Sequence, residues 1–346
     1  MSGTQVAPAR PAAGRSAGSR LLGLARRRET SILVALLAMV LLTALKSPSF
    51  VFGADGWRNL LLNPAIYLVL AIGVAFVIIT RSVDLSVGST MGLTAFMIGS
   101  LYIAWPGMPA AVAFLAGTAF GALLGLVNGG LVAVAKVPGM VITLGTMYIF
   151  RGVNILWAGT TRINASQMGA DFLAFGNWQI LGIPALTILA VVVLLVAAWY
   201  LQNTRSGREF YAIGSAPEAA NLYGLPVGRR MLMSFVISGA MAGLAGVMFA
   251  ARYGTIASNA GTGYELQAIG AAVIGGVAIT GGVGTVVGAA FGAVLLATIN
   301  SALPVLGIHS LWQRAVVGVL ILGAIILDRV LAVRQKQQLI AERMEP

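Results

Sequence analysis

The chain is 346 residues long, 58% hydrophobic and 9% charged. That much apolar surface exceeds what one soluble core can bury, so lipid must act as part of the solvent. Its formal net charge of +12 argues little for nucleic acid, because most Lys and Arg lie at the ends and in a few loops, as on the cytoplasmic flanks of membrane spans. There are no cysteines and a single histidine, His309. Disulfides, thiolate chemistry and Cys- or His-rich metal sites are excluded on that count.

In chain order, residues 1–28 are rich in Ala, Gly, Ser and Arg and read as a disordered basic cytoplasmic segment. The run after Arg26–Arg28 shares its layout with a cleaved signal peptide, but an uncleaved first span over Glu29 to Lys46 is preferred because further spans follow. Apolar runs then lie near Asn63–Thr80, Leu85–Trp105, Pro109–Ala135, Pro138–Trp157, Pro184–Gln202 and Met231–Tyr253, and near Leu266–Thr280, Thr285–Leu303 and Leu311–Val333. The expected fold is all-α: a polytopic transmembrane bundle of about ten spans. One transmembrane domain, 29–333, precedes a tail, 334–346. An even span count puts both termini on one side. The N-terminal arginines, Lys136, the Arg205/Arg208/Arg229/Arg230 loop and the basic tail then share the cytoplasm. The opposite face carries its longest loop at Ala158–Ile183, a polar cap with Trp178 near an interface.

Within the spans, Asn63-Pro64 reads as an Asn cap with Pro at the first helical position. Gly117, Gly121, Gly125 and Gly129 recur every four residues, as do Gly284, Gly288 and Gly292. Such stripes let helices approach closely in lipid. Gly275-Gly276 and Gly281-Gly282-Val283-Gly284 are dense enough to break a helix and could border a pathway. Asp84 and Glu265 open spans from opposite sides, as an inverted repeat of spans two to five in spans seven to ten would require. Each acid either caps its helix or contacts solute or ion. Asn128, Thr143, Thr146, Asn154, Gln267 and Asn300 are candidate pathway-lining residues, with interhelical hydrogen bonding the commoner use of such groups. Arg151 is the costliest to bury and either snorkels or pairs across helices.

The most informative segment is the polar stretch Thr204–Gly224, within a loop spanning 204–230 between the sixth and seventh spans. Ser215 reads as a helix cap, Pro217 as its first turn, Glu218 as the partner that completes a capping box, and Gly224 as the stop. A short surface helix between spans suggests a docking element.

Several motifs in order carry a family resemblance: VDLSVGS from Val83, VNGGLVAVAKVPGMVITLGTMYIFRG from Val127, TRSGREFYAIGSAPEAANLYGLPV from Thr204, SGAMAGLAG from Ser238, LQAIGAAVIGGVAITGGVGTVVGAAFGA from Leu266 and LWQRAVVGVLILGAIILD from Leu311. The chain resembles the membrane permeases of bacterial ABC importers for sugars, the branch serving ribose, xylose, arabinose, galactosides, rhamnose and autoinducer-2. The resemblance runs from about Leu60 to Asp328 and places the protein in the cytoplasmic membrane. It implies that Pro217–Gly224 is a coupling helix seated in an ATPase subunit, with Tyr211, Ser215, Pro217, Glu218, Ala219, Ala220, Asn221 and Gly224 as coupling residues. It implies a second permease copy or paralogue and an external solute-binding protein. The Glu-Ala-Ala-three-residues-Gly pattern is kept. The Ile-x-Leu-Pro of other importers is replaced around Ser234–Ile237, and Arg81-Ser82 stands where relatives have Gly-Gly or Gly-Ile. No Gly-x4-Gly-Lys-Ser/Thr loop is present, so this chain carries no cofactor of its own and ATP-Mg belongs to the partner ATPase. An ion-coupled secondary transporter and a passive channel are the alternatives. The first would need an ion-coupling acid deep in the membrane, and the second would have no use for the coupling helix.

Overall fold

The computed structural model describes residues 28–135 and 137–309 and scattered helical positions between 312 and 330. The N-terminal segment 1–27, Lys136 and the tail 334–346 lie outside the described residues, as does most of the predicted span 311–333.

The chain is helical, as lipid demands: a backbone in hydrocarbon must satisfy its own hydrogen bonds. Helix α1 (Arg28–Lys46) leads through the short α2 (Ser49–Phe52) into α3 (Gly56–Ile79), α4 (Val87–Ala104), α5 (Ala110–Ala135) and α6 (Gly139–Ala158). A 3-10 turn, α7 (Ala170–Asn177) and a hairpin of β1 (Gln179–Ile180) and β2 (Ile183–Pro184) form the long loop before α8 (Ala185–Asn203). Next come α9 (Arg205–Ser215), α10 (Pro217–Leu222), α11 (Val227–Tyr253), α12 (Tyr264–Ile274) and α13 (Val286–Val305). Seven of these helices, α3, α4, α5, α6, α8, α11 and α13, are long and apolar enough to cross a membrane. Helix α12 has 11 residues, about 16 Å of rise, roughly half the hydrocarbon thickness.

Helices α3 and α11 form the centre. Helix α5 packs on α11 and α13 on α3, while α4 packs on α11 and α12 on α3. Glycine sets these approaches. A Cβ at Gly121 would fall on the Gly239 carbonyl and the Gly243 backbone, and one at Gly243 would fall on the Gly117 carbonyl, so α5 and α11 touch backbone to backbone. Gly288 and Gly292 likewise face Gly275 and Ala271 of α12. The third member of that predicted stripe, Gly284, is not helical. It lies in the loop before α13 at φ +134°, and Thr285 caps the helix by accepting from the Gly288 N–H at 2.9 Å. The dense glycines do break the chain here: Gly276, Gly281 and Gly282 all have positive φ, a conformation that glycine adopts at no steric cost.

Asn63-Pro64 does not start a span. Both residues lie inside α3, which begins at Gly56. A membrane helix tolerates such a proline because neighbouring groups satisfy the freed backbone.

Candidate coupling and transport sites

The polar stretch after α8 folds as two helices at a corner. Thr204 caps α9, accepting from the Gly207 N–H at 2.9 Å. Phe210 and Ile213 bury the apolar face of α9, with Phe210 edge-on to Phe76 of α3 at 5.8 Å between centroids. Glu209, 8% exposed, accepts from Arg230 Nε at 2.6 Å and Arg205 Nε at 3.0 Å. The Arg230 bond foremost, with Arg205 adding, holds its carboxyl below the ordinary carboxylate range. Since Arg230 belongs to the first turn of α11, this pair ties α9 to α11.

The predicted capping box at Ser215 is absent. Ser215 ends α9, and Ala216 makes the corner with no side-chain cap for α10. Pro217 does occupy the first turn of α10, Glu218 follows it, and Gly224 stops the chain direction at φ +73°. Glu218, Asn221 and Gly224 are exposed and Ala219 is half-buried, while Ala220 is buried under the helix. Tyr211 points inward rather than to the surface: its hydroxyl donates to the Gly284 carbonyl at 3.0 Å, and burial raises its phenol pKa. Two residues outside the expected set stand out on α10 and its end. Leu222 is 88% and Tyr223 87% exposed. Bulky apolar side chains closing a short polar helix were the available signal. Beneath α10 lies a cavity of about 730 Å³ lined by Glu218, Asn221, Arg81, Pro138, Met140 and Met231 among others.

Inside the bundle several of the predicted polar residues bond across segments. Asp84, in the turn before α4, accepts from the Ser86 N–H at 2.9 Å, Ser86 Oγ at 2.7 Å and Ser238 Oγ of α11 at 2.8 Å. Asn128 of α5 donates to Ser86 Oγ at 2.7 Å. Thr143 of α6 donates to the Val83 carbonyl at 3.0 Å and accepts from the Leu85 N–H at 3.1 Å. Asp84 is thus held by hydroxyls and an N–H, and ties α4 to α11. Thr146 bonds back to the Thr143 carbonyl at 3.4 Å, and Asn154 donates to the Ser258 carbonyl at 2.9 Å. Glu265, in the first turn of α12, pairs with Arg151 of α6 at 3.4 Å and accepts from the Gly263 N–H at 3.1 Å. Arg151 lies just past the midpoint of α6 and is partly exposed, while Glu265 is buried. Gln267 and Asn300 are half-buried on α12 and α13. The amide oxygens of Asn128, Asn154 and Gln267 have no partner among the described residues.

A further polar node went unpredicted. Asn63 Nδ2 donates to Ser301 Oγ of α13 at 3.1 Å, and Asn63 Oδ1 accepts from Arg252 of α11. Asn63 and Ser301 also line a cavity of about 620 Å³ at the α2 end of the bundle. None of the six candidate pathway residues lines either cavity.

A bundle of long apolar helices, two buried acids and an exposed polar helix between spans is the architecture of a multi-pass transport protein. Residues 57–325 match the family described as branched-chain amino acid transport system / permease component, and the chain belongs to that permease family. It is 35% identical over 327 residues to the autoinducer 2 import system permease protein LsrC of Enterobacter sp. (strain 638), covering 93% of this chain and 94% of that one. It is 40% identical over 263 residues to LsrC of Salmonella typhimurium (strain LT2), covering 76% and 75%. It is 36% identical over 300 residues to LsrC of Escherichia coli (strain K12 / DH10B), covering 86% of each. No solved structure matches. The chain is the permease subunit of an ABC importer, and these relatives favour that reading over an ion-coupled transporter or a passive channel.

Proposed function

We propose that this permease forms half of a pathway for a sugar or sugar-like solute, autoinducer-2 among them, as in the named LsrC relatives. A second copy or paralogue supplies the other half. An extracytoplasmic binding protein delivers solute, and a separate ATPase binds ATP-Mg and docks on α10. Asn128, Thr143, Thr146, Asn154, Gln267 and Asn300 remain the pathway set. The three unpartnered amide oxygens among them have capacity left for solute hydroxyls. Asp84 and Glu265 serve the architecture first, since each is already engaged.

The observation that carries this reading is α10: a short helix outside the spans whose Glu218, Asn221, Leu222, Tyr223 and Gly224 are exposed together. Large apolar side chains left in water beside a charge are the ordinary signature of a docking patch. Ser215, Pro217, Ala219 and Ala220 shape the corner beneath it. The α10 side then faces the cytoplasm with both termini, and the 204–230 loop is the coupling loop.

A ten-span count is supported by α1, α12 and the helical positions between 312 and 330, added to the seven long helices. An inverted repeat is supported by the packing: α5 on α11 answers α13 on α3, and α4 on α11 answers α12 on α3. Alternating access would then proceed by rocking of one repeat against the other.

The test is a photocrosslinker at position 218 in membranes containing the whole transporter. Capture of the ATPase subunit is expected, and Glu218→Lys abolishes ATP-dependent uptake. Capture of lipid or of this chain's own tail alone refutes the docking assignment.

A further inference from the structure

A docking helix does work only through what it abuts, and α10 is backed by α9, which is wedged against two other parts of the bundle. A Cβ at Gly214 of α9 would fall on the Ile79 carbonyl at the end of α3 and on the Gly282 amide. The Gly282 N–H donates to that same Ile79 carbonyl at 2.9 Å. A Cβ at Gly282 would collide with Ser215, and one at Gly281 would meet the backbone of Arg81 at 3.0 Å. Three chain segments therefore meet too closely for a side chain at any of these glycines: the end of α3, the end of α9 and the glycine loop joining α12 to α13. The positive φ of Gly281, Gly282 and Arg81 is what permits that meeting. Tyr211 closes the contact from the α9 side with its hydroxyl bond to the Gly284 carbonyl.

The glycine loop is compact in itself. The Ala278 N–H donates to the Val283 carbonyl at 3.0 Å and the Gly281 N–H to the Ala278 carbonyl at 2.9 Å. A Cβ at Gly284 would press on the Val277 backbone. With its tip exposed but its ends held by these bonds and close contacts, the loop moves as one piece and passes a push from α9 on to α12 and α13.

We propose that Tyr211 and the Gly214–Gly282 contact form a rigid joint that carries displacement of α10 into the α12–α13 pair, with Tyr211 as its positioning residue. The glycine loop is then a mechanical linkage and not a pathway wall. Movement of the ATPase reaches α12, and through Glu265 the Arg151 of α6, as well as passing along the chain into α11. The inference rests on α10 being the ATPase-docking helix.

The chain has no cysteines, so spin labels can be placed cleanly at Ala216, Val283 and Leu181, all exposed, in the assembled transporter. Between nucleotide-free and ATP-bound states the 216–283 separation is expected to stay constant while the 283–181 separation changes. Changing 216–283, or constant 283–181, overturns the joint. Tyr211→Phe removes one hydrogen bond and keeps the ring. It should cut the ATP-dependent 283–181 population shift by about fivefold while the crosslink from position 218 to the ATPase persists. An unaltered shift in Tyr211→Phe, at wild-type membrane abundance, removes Tyr211 from the role. Loss of the 218 crosslink in the unsubstituted protein instead overturns the docking reading on its own.

Discussion

The two acids that precede or open α4 and α12 do similar work by different means. Asp84 is surrounded by neutral donors, two from Ser86 and one from Ser238, and no cation reaches it among the described ion pairs. Glu265 is met by Arg151 and the Gly263 N–H. The sites adjoin: a Cβ at Gly88 of α4 would strike the Glu265 carboxylate and the Gly261 carbonyl. The difference lies in what each acid ties down. Asp84 fastens α4 to α11 inside the tightest part of the bundle, where hydroxyls and amides can be brought to it by packing. Helix α12 is short and α6 is peripheral, with one face exposed, so a long-range ionic partner spans the gap that packing leaves open.

The ion pair is therefore the place where the comparison breaks most severely. With side-chain exposures of 24% for Arg151 and 9% for Glu265, Arg151→Ala leaves a carboxylate buried without its cation, which costs about 3–5 kcal/mol. Chemical unfolding in detergent measures it. Adding Glu265→Gln should restore most of the loss, because the burden is the unpaired charge and not the missing bond. A double variant as unstable as the single one would mean that Arg151 acts through packing.

The glycine seam on the Asp84 side gives the next effect. Gly243→Ala drives a methyl into the Gly117 carbonyl and should cost about 1–3 kcal/mol. Gly145→Ala on α6, where a Cβ meets nothing within 4 Å, should be neutral or stabilising by up to about 1 kcal/mol through helix propensity. Equal effects at the two sites would show that α5 and α11 do not hold the backbone contact described.

Most of the span pattern was legible because hydropathy and helix length are local quantities. The runs Pro109–Ala135 and Pro138–Trp157 became α5 and α6 with nearly the same ends. The glycine stripe of α5 was also legible, since its period of four is that of a helix face. What failed were boundaries that depend on tertiary partners. Asn63-Pro64 has the form of a helix start, but in α3 both Asn63 donor and acceptor groups are used by Ser301 and Arg252, residues far along the chain. Ser215 has the form of a cap, but Thr204 had already started a helix that ends on it. Tyr211 was assigned to the docking surface by its place in a motif. Sequence spacing could not reveal that the Gly284 carbonyl, 73 residues later, would accept its hydrogen bond. The candidate pathway residues were found as polar positions, but the partners of Asn128, Thr143 and Asn154 across the bundle were not, because those bonds join distant segments.

A loss well below that of the ion pair tests whether neutral donors suffice at Asp84. Ser238 is the sole described donor to Oδ2, while Ser86 supplies both bonds to Oδ1. Ser238→Ala removes the one bond that crosses from α11, but two donors to the same carboxylate remain. The loss should sit near the low end for hydrogen bonds to charged groups, about 1.5 kcal/mol, well under that of Arg151→Ala. Asp84→Asn sharpens this: an amide can still accept from Ser86 or Ser238, but its NH2 must face a hydroxyl that now has to accept. If Ser238→Ala proves as costly as Arg151→Ala, then Oδ2 carries the charge and depends on a single donor. In that case Asp84 is held no more loosely than Glu265, and the contrast between a packed acid and a bridged one disappears.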